Sequence, residues 1–260
     1  MAKCMGGTNK PVTWDYQGDL DQGYLDFLHD VIILCTMLDI VRRYLSELKK
    51  FDRESTFIVV WSSLILLFSL YIPRPKNFWP GEPFLARLLV TGALYGLSPL
   101  VPMFLFRNKP RNYGLRIGNI KVWSKDILFY LAIMIVILLV SFKFSHLKVT
   151  YPLYQKAKFG LDHFLIYQAI QLFHMLGWEF FFRGFMLFGL SKKIDPKLSI
   201  LIQTIPFALM HYRKPALEAY GSVFAGVFQG MIGIQAGSFL PCALLHWLVA
   251  LAADVIGIIM

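Results

Sequence analysis

Cysteine is scarce in this sequence and acid is in deficit. The three cysteines (Cys4, Cys35 and Cys242) form no CxxC pair, which excludes a disulfide framework and a thiolate metal site. Only 16% of the 260 residues are charged, against about 25% in a soluble domain. Apolar residues make up 57%, and the mean hydropathy is +0.55. A chain of that composition cannot fold in water without exposing large apolar patches. A soluble enzyme, a disordered regulator and a secreted scaffold are thereby excluded. The polar stretches are short, the longest being the N-terminus, 107–126 and 143–162, so no soluble domain is expected. Repeats and low-complexity runs are missing. The first 22 residues also lack the apolar core of a cleavable signal peptide. The compact length and the lack of a signal or retention sequence point to a bacterial plasma membrane.

Lysine and arginine number 26 against 16 acids, a net charge of +10. The surplus falls between apolar runs, as at Arg107, Lys109, Arg111, Arg116 and Lys121. That is where anionic headgroups and the positive-inside bias place bases. No basic stripe is interleaved with stacking aromatics, so the partner implied is a lipid bilayer and not nucleic acid.

A membrane span needs about 20 mostly apolar residues. The runs 56–72, 84–106, 127–142, 164–190, 198–210, 219–236 and 239–259 meet or approach that length. The run 24–41 is weaker, because it carries Asp26, His29, Asp30 and Asp39. Gly92, Gly96, Pro99 and Pro102 predict a kink in 84–106. Lipid leaves no partner for a free strand edge, and the runs are apolar all round, so open sheets and barrels are excluded. The expected fold is all-α: a polytopic membrane bundle of about seven or eight helices with an internal polar cavity. It divides into an N-terminal polar segment (1–23), N-terminal membrane helices (24–160) and a C-terminal helix core (161–260).

Ionisable groups inside apolar runs are costly, and each is a candidate functional residue. They cluster in the last hundred residues. Glu179 and Arg183 stand at i, i+4 on one helix face. His211 closes one apolar run, and His246 lies deep in the last, with Asp254 about two turns beyond it. Glu218 stands between the histidines. A carboxylate can take a proton from water, and an imidazole can hold that water or stabilise an oxyanion. Glu179, His211 and His246 could instead hold Zn²⁺, which acidifies a bound water. Simpler roles stand beside these. Glu179 and Arg183 could be only a buried ion pair. His211 could be interfacial, Glu218 could favour a helix N-terminus, and Asp254 could pair locally. His29, His146, His163 and Lys125 read as interfacial residues, and His174 and Phe180–Phe182 as packing residues.

The pattern Glu179-x-x-x-Arg183-Gly184, then Phe207-x-x-x-His211, then His246 in a final apolar helix resembles the CAAX-protease and bacteriocin-processing (CPBP, or Abi) family. Its members include the type II CAAX prenyl endopeptidases. The segment Tyr113-Gly114-Leu115-Arg116-Ile117-Gly118 is similar to that family's lead-in to the preceding span. The resemblance implies peptide-bond hydrolysis in or beside the membrane, on a peptide or lipidated-protein substrate. It places Glu179, His211 and His246 in the three motifs, with or without a bound Zn²⁺. Two positions depart from the family pattern. Trp178 stands where the first of two glutamates is usual, and Ala250 where asparagine or aspartate follows the last histidine. Tryptophan cannot accept a proton, and alanine cannot support an oxyanion. One expectation is therefore that Glu179 is the base and that Arg183, Glu218 and Asp254 complete the site. The alternatives are a non-cutting relative that binds peptides or partners, in an immunity or chaperone role, and a small proton-coupled transporter.

Overall fold

The computed structural model describes residues 22–48, 52–73, 79, 81–144 and 147–260. Cys4, His146 and most of the polar segment 1–23 lie outside them. Two compact units divide between residues 51 and 52. In the first, helix α1 (Gln22–Leu48) takes in the run 24–41.

The second unit is entirely helical among its described residues. Its helices are α2 (Arg53–Tyr71), α3 (Pro83–Leu97), α4 (Leu100–Leu105), α5 (Ile120–Phe144), α6 (Leu147–Thr150), α7 (Leu161–Glu179), α8 (Pro196–Leu209), α9 (Ala216–Ala236) and α10 (Leu240–Ile259). Short 3₁₀ turns stand at Pro110–Tyr113 and Gln155–Lys158. Five stretches are long and apolar enough to cross a membrane: α2, Pro83–Leu105, α5, α9 and α10. This is an integral membrane helix bundle. Its apolar outer side chains, such as Leu64, Phe68, Phe104 and Phe129, are exposed, as lipid-facing positions must be.

The kink expected in 84–106 is a break. Helix α3 ends at Leu97, and α4 restarts at Leu100 beyond Ser98 and Pro99. The run 164–190 differs from a plain α-helix. From Phe180 to Phe188 the chain follows π-helical geometry, directly after Glu179. Such i→i+5 turns gather at functional positions, and nothing in the spacing of apolar residues announces one.

Helix α7 packs against α3 and α10, α8 packs against α9, and α10 also meets α5 and α9. The α3–α7 crossing is close, because a Cβ on Gly177 would overlap the Gly92 carbonyl. Small residues at a membrane crossing let backbones approach and pack by dispersion. Gly177→Ala should therefore cost about 1–3 kcal/mol, read as a lower thermal midpoint in detergent. An unshifted midpoint would mean that the crossing relaxes freely. At the other end of α9, Gly237 takes φ +65 and turns the chain into α10. The lead-in 113–118 docks on that corner, where Arg116 Nε donates to the Gly237 carbonyl and Phe239 N–H to the Gly114 carbonyl.

The core lies around the π segment. Phe181, Phe182, Phe185 and Phe207 are fully enclosed, with Tyr95 and Trp178 packed on them. The Phe180–Phe182 run is packing material, as expected. A separate polar lock ties α2 to this layer. Glu54 accepts from Asn108, Tyr113 and Lys192, and Lys192 also lies over the Tyr113 ring.

Candidate active site

A cavity of about 1000 Å³ opens among α3, α5, α7, α9 and α10. Local sequence explains how its polar groups reach it. Pro206 inside α8 removes one backbone donor, and the helix ends three residues later. Beyond that end the chain tightens: His211 N–H donates to the Ala208 carbonyl and Lys214 N–H to the His211 carbonyl, at 2.9 and 2.8 Å. Pro215 then starts α9. His211, Lys214 and Glu218 are thus delivered from one corner. Trp178 and His174 come from α7 and His246 from α10, and all six line the cavity.

The two histidines of the motif face each other. Their rings are stacked at 20° with centroids 6.3 Å apart. His211 Nδ1 lies 2.8 Å from the Phe207 carbonyl. A carbonyl only accepts, so Nδ1 carries the proton and Nε2 is left as an acceptor. His246 Nδ1 lies 2.6 Å from Glu179 Oε1, and the same logic leaves its Nε2 open. Trp178 stands edge-on to His211, at 6.0 Å between centroids.

Glu179 and Arg183 are both fully enclosed and do not reach the cavity lining. Arg183 Nη1 lies 3.1 and 3.0 Å from the two carboxylate oxygens of Glu179. The guanidinium also sits 3.8 Å from the centroid of the Phe207 ring. Glu179 is therefore held between Arg183 and His246, behind the wall. Asp254 is also enclosed and also off the lining. Its Oδ2 accepts from Gln168 Nε2 at 2.9 Å. With Trp247 Nε1 donating to the Gln168 carbonyl, this ties α10 to α7. Of the six residues singled out from the sequence, His211, His246 and Glu218 share the chamber. Glu179 touches it through His246, Arg183 stands behind Glu179, and Asp254 is bonded through Oδ2 to Gln168.

Three further polar residues stand on the lining. His174, read from sequence as packing, faces the cavity with Nδ1 bonded to the Leu88 carbonyl and the Thr91 hydroxyl. Lys214 pairs with Glu218 at 3.0 Å. Its i−4 spacing from Glu218 was a legible signal. Tyr151, from the loop after α6, donates to Glu218 Oε2 at 2.6 Å. Burial pushes the Tyr151 hydroxyl well above its usual value, and the Glu218 charge acts the same way, so the phenol keeps its proton. No sequence signal pointed to Tyr151.

Among the described residues, no group of three or more histidine, cysteine, aspartate or glutamate side chains is disposed to hold a metal ion. The two open Nε2 atoms would supply two ligands, with Glu179 committed elsewhere. The arrangement therefore does not fit a Zn²⁺ site.

Residues 160–252 match the family model described as type II CAAX prenyl endopeptidase, Rce1-like. This part of the chain is similar to that family. The match covers α7, the π segment, α8, α9 and α10 as far as residue 252, and so every motif residue quoted for the resemblance except the lead-in. No curated protein and no solved structure matches the chain.

Proposed function

We propose that the chain is an intramembrane endopeptidase that cuts a peptide bond of an apolar or lipidated segment inside this cavity. The observation that carries the reading is the 2.6 Å bond from His246 Nδ1 to the enclosed Glu179 carboxylate. A buried carboxylate on one ring nitrogen fixes the tautomer, orients the ring and supports the imidazolium once it forms. His246 Nε2 then takes a proton from water as the water oxygen attacks the scissile carbonyl. The carbonyl electron pair moves onto oxygen. On collapse the C–N bond breaks, and the imidazolium passes its proton to the leaving nitrogen. His211 Nε2 accepts the second hydrogen of the water and aims its oxygen.

Glu179 thus orients the base instead of acting as one, which departs from the role expected from the motif. Trp178 needs no proton-accepting function in this arrangement. The tryptophan packs against His211 and excludes bulk water on that side. No step is routed through a metal ion.

The apolar walls favour a lipid-borne substrate. Phe129, Tyr130, Ile133 and Met134 of α5 line it together with Phe224 and Phe228 of α9, and Tyr130 packs on Phe228. The matching family is described as a CAAX prenyl endopeptidase, and a prenylated peptide combines an apolar chain with a peptide bond.

The test is turnover of fluorogenic peptides, plain and lipidated, by purified protein in lipid. Cleavage should persist in chelator, and His211→Ala should lower it about 10²-fold. Binding without cleavage would make the chain a binding module, and proton-driven uptake into vesicles would make it a transporter. Loss in chelator with recovery on added zinc would replace His246 by a metal-bound water as the source of the nucleophile.

A further inference from the structure

The two motif histidines offer acceptors, and a tetrahedral oxyanion needs donors. In their neutral forms His211 and His246 have each committed the Nδ1–H, to Phe207 and to Glu179. Arg183 is behind the wall. Arg87 lines the cavity, but its Nη1 and Nη2 donate to the Ile72 and Ser69 carbonyls at the end of α2. With Arg87 held at the end of α2, Lys214 is the remaining lysine or arginine on the lining.

We infer that Lys214 is a further catalytic residue, whose ammonium stabilises the oxyanion formed when water adds to the scissile carbonyl. The inference rests on the hydrolytic reading above. An ammonium has three protons. One goes to Glu218 Oε1 at 3.0 Å and one to the Tyr151 hydroxyl oxygen at 3.3 Å. The third is available to substrate. Tyr151 completes a triangle by donating to Glu218 Oε2. The clamp takes an otherwise flexible side chain and fixes its charge before substrate arrives. Preorganised charge at a water-poor site is the largest single term in many hydrolases.

Placement agrees with this role. Lys214 follows His211 by one tight turn, closed by the 2.8 Å bond from Lys214 N–H to the His211 carbonyl. The group that aims the water and the group that meets the new negative charge therefore sit on the same corner. Lys214 is about one-third exposed, at 31%, enough to touch a bound peptide and little enough to be shielded from bulk solvent. During attack a proton moves to His246 and a negative charge appears on the carbonyl oxygen. When the C–N bond breaks, both are discharged, and Lys214 keeps its protons throughout.

The experiment measures kcat and KM separately for Lys214→Met and Lys214→Arg. It adds the affinity of a peptide phosphonate, whose anionic tetrahedral centre mimics the adduct. Lys214→Met should lower kcat about 10²-fold with KM little changed. Phosphonate binding should weaken in step with kcat/KM, and Lys214→Arg should recover part of both. An unchanged kcat, or a loss confined to KM, would overturn the inference in favour of a structural or ground-state contact. Should Lys214→Met fail to fold, Tyr151→Phe keeps the Lys214–Glu218 pair and removes one side of the clamp. It should then lower kcat and phosphonate affinity together, and unchanged values would count against the inference. His246→Ala separates the two layers. If that variant retains activity, the assignment of His246 as the base fails, and if the unaltered protein cuts no peptide, the hydrolytic reading itself fails. If only Lys214→Met retains it, this inference alone falls.

Discussion

Peptide cleavage by His246→Ala should fall by about 10³-fold, within the range set by general acid–base groups. The variant removes both the acceptor for the water proton and the donor to the leaving nitrogen. Glu179 keeps Arg183 as a partner, so the loss should not come from unfolding. His246→Gln sharpens the test. Its amide can still donate to Glu179 and fill the space, but it cannot carry the proton. Activity should stay lost while the thermal midpoint recovers. Substantial cleavage by His246→Gln would remove His246 from the proton path and return the water-activating role to a carboxylate.

The second large effect concerns stability. Arg183→Met leaves the enclosed Glu179 without its cation, and removes the guanidinium from the Phe207 ring 3.8 Å away. Breaking a buried pair from one side costs about 3–5 kcal/mol. The thermal midpoint in detergent should fall accordingly. Adding Glu179→Gln removes the stranded charge, so the double variant should regain much of that stability. Activity should not return with it, because His246 then lacks a carboxylate on Nδ1. Recovery of both together would mean that Glu179 serves burial only. Recovery of neither would mean that the pair holds the π segment in place.

The all-helical membrane bundle was legible because lipid permits few alternatives. Apolar runs of the right length mark the helices, and Pro99 marks the α3–α4 break. The Glu179–Arg183 contact was also legible, since i, i+4 spacing on one helix brings the two side chains together. What covers a helix face is another matter. Spacing put Glu179 on a face. It could not say that α10 closes over that face with His246, 67 residues later, and shuts the carboxylate off from the cavity. Asp254 shows the same limit. It was expected to complete the site from two turns beyond His246, but Gln168 of α7 meets it first. His174 reads from sequence as a packing residue. The cavity is broad enough to reach around α7 and take it in. Tyr151 lies on a loop, where no periodicity exists to read.

Two ion pairs border the chamber: Glu179 with Arg183, and Glu218 with Lys214. Each pair sums to zero. In the proposed step the positive imidazolium and the negative oxyanion also appear together and vanish together. A transmembrane potential does work only on net charge displaced across its field, about 2.3 kcal/mol per elementary charge per 100 mV. The step carries no net charge across the membrane, and only the short separation of imidazolium and oxyanion couples to the field. The turnover of this chain in sealed vesicles should accordingly run at the same rate whether the bilayer is polarised or short-circuited.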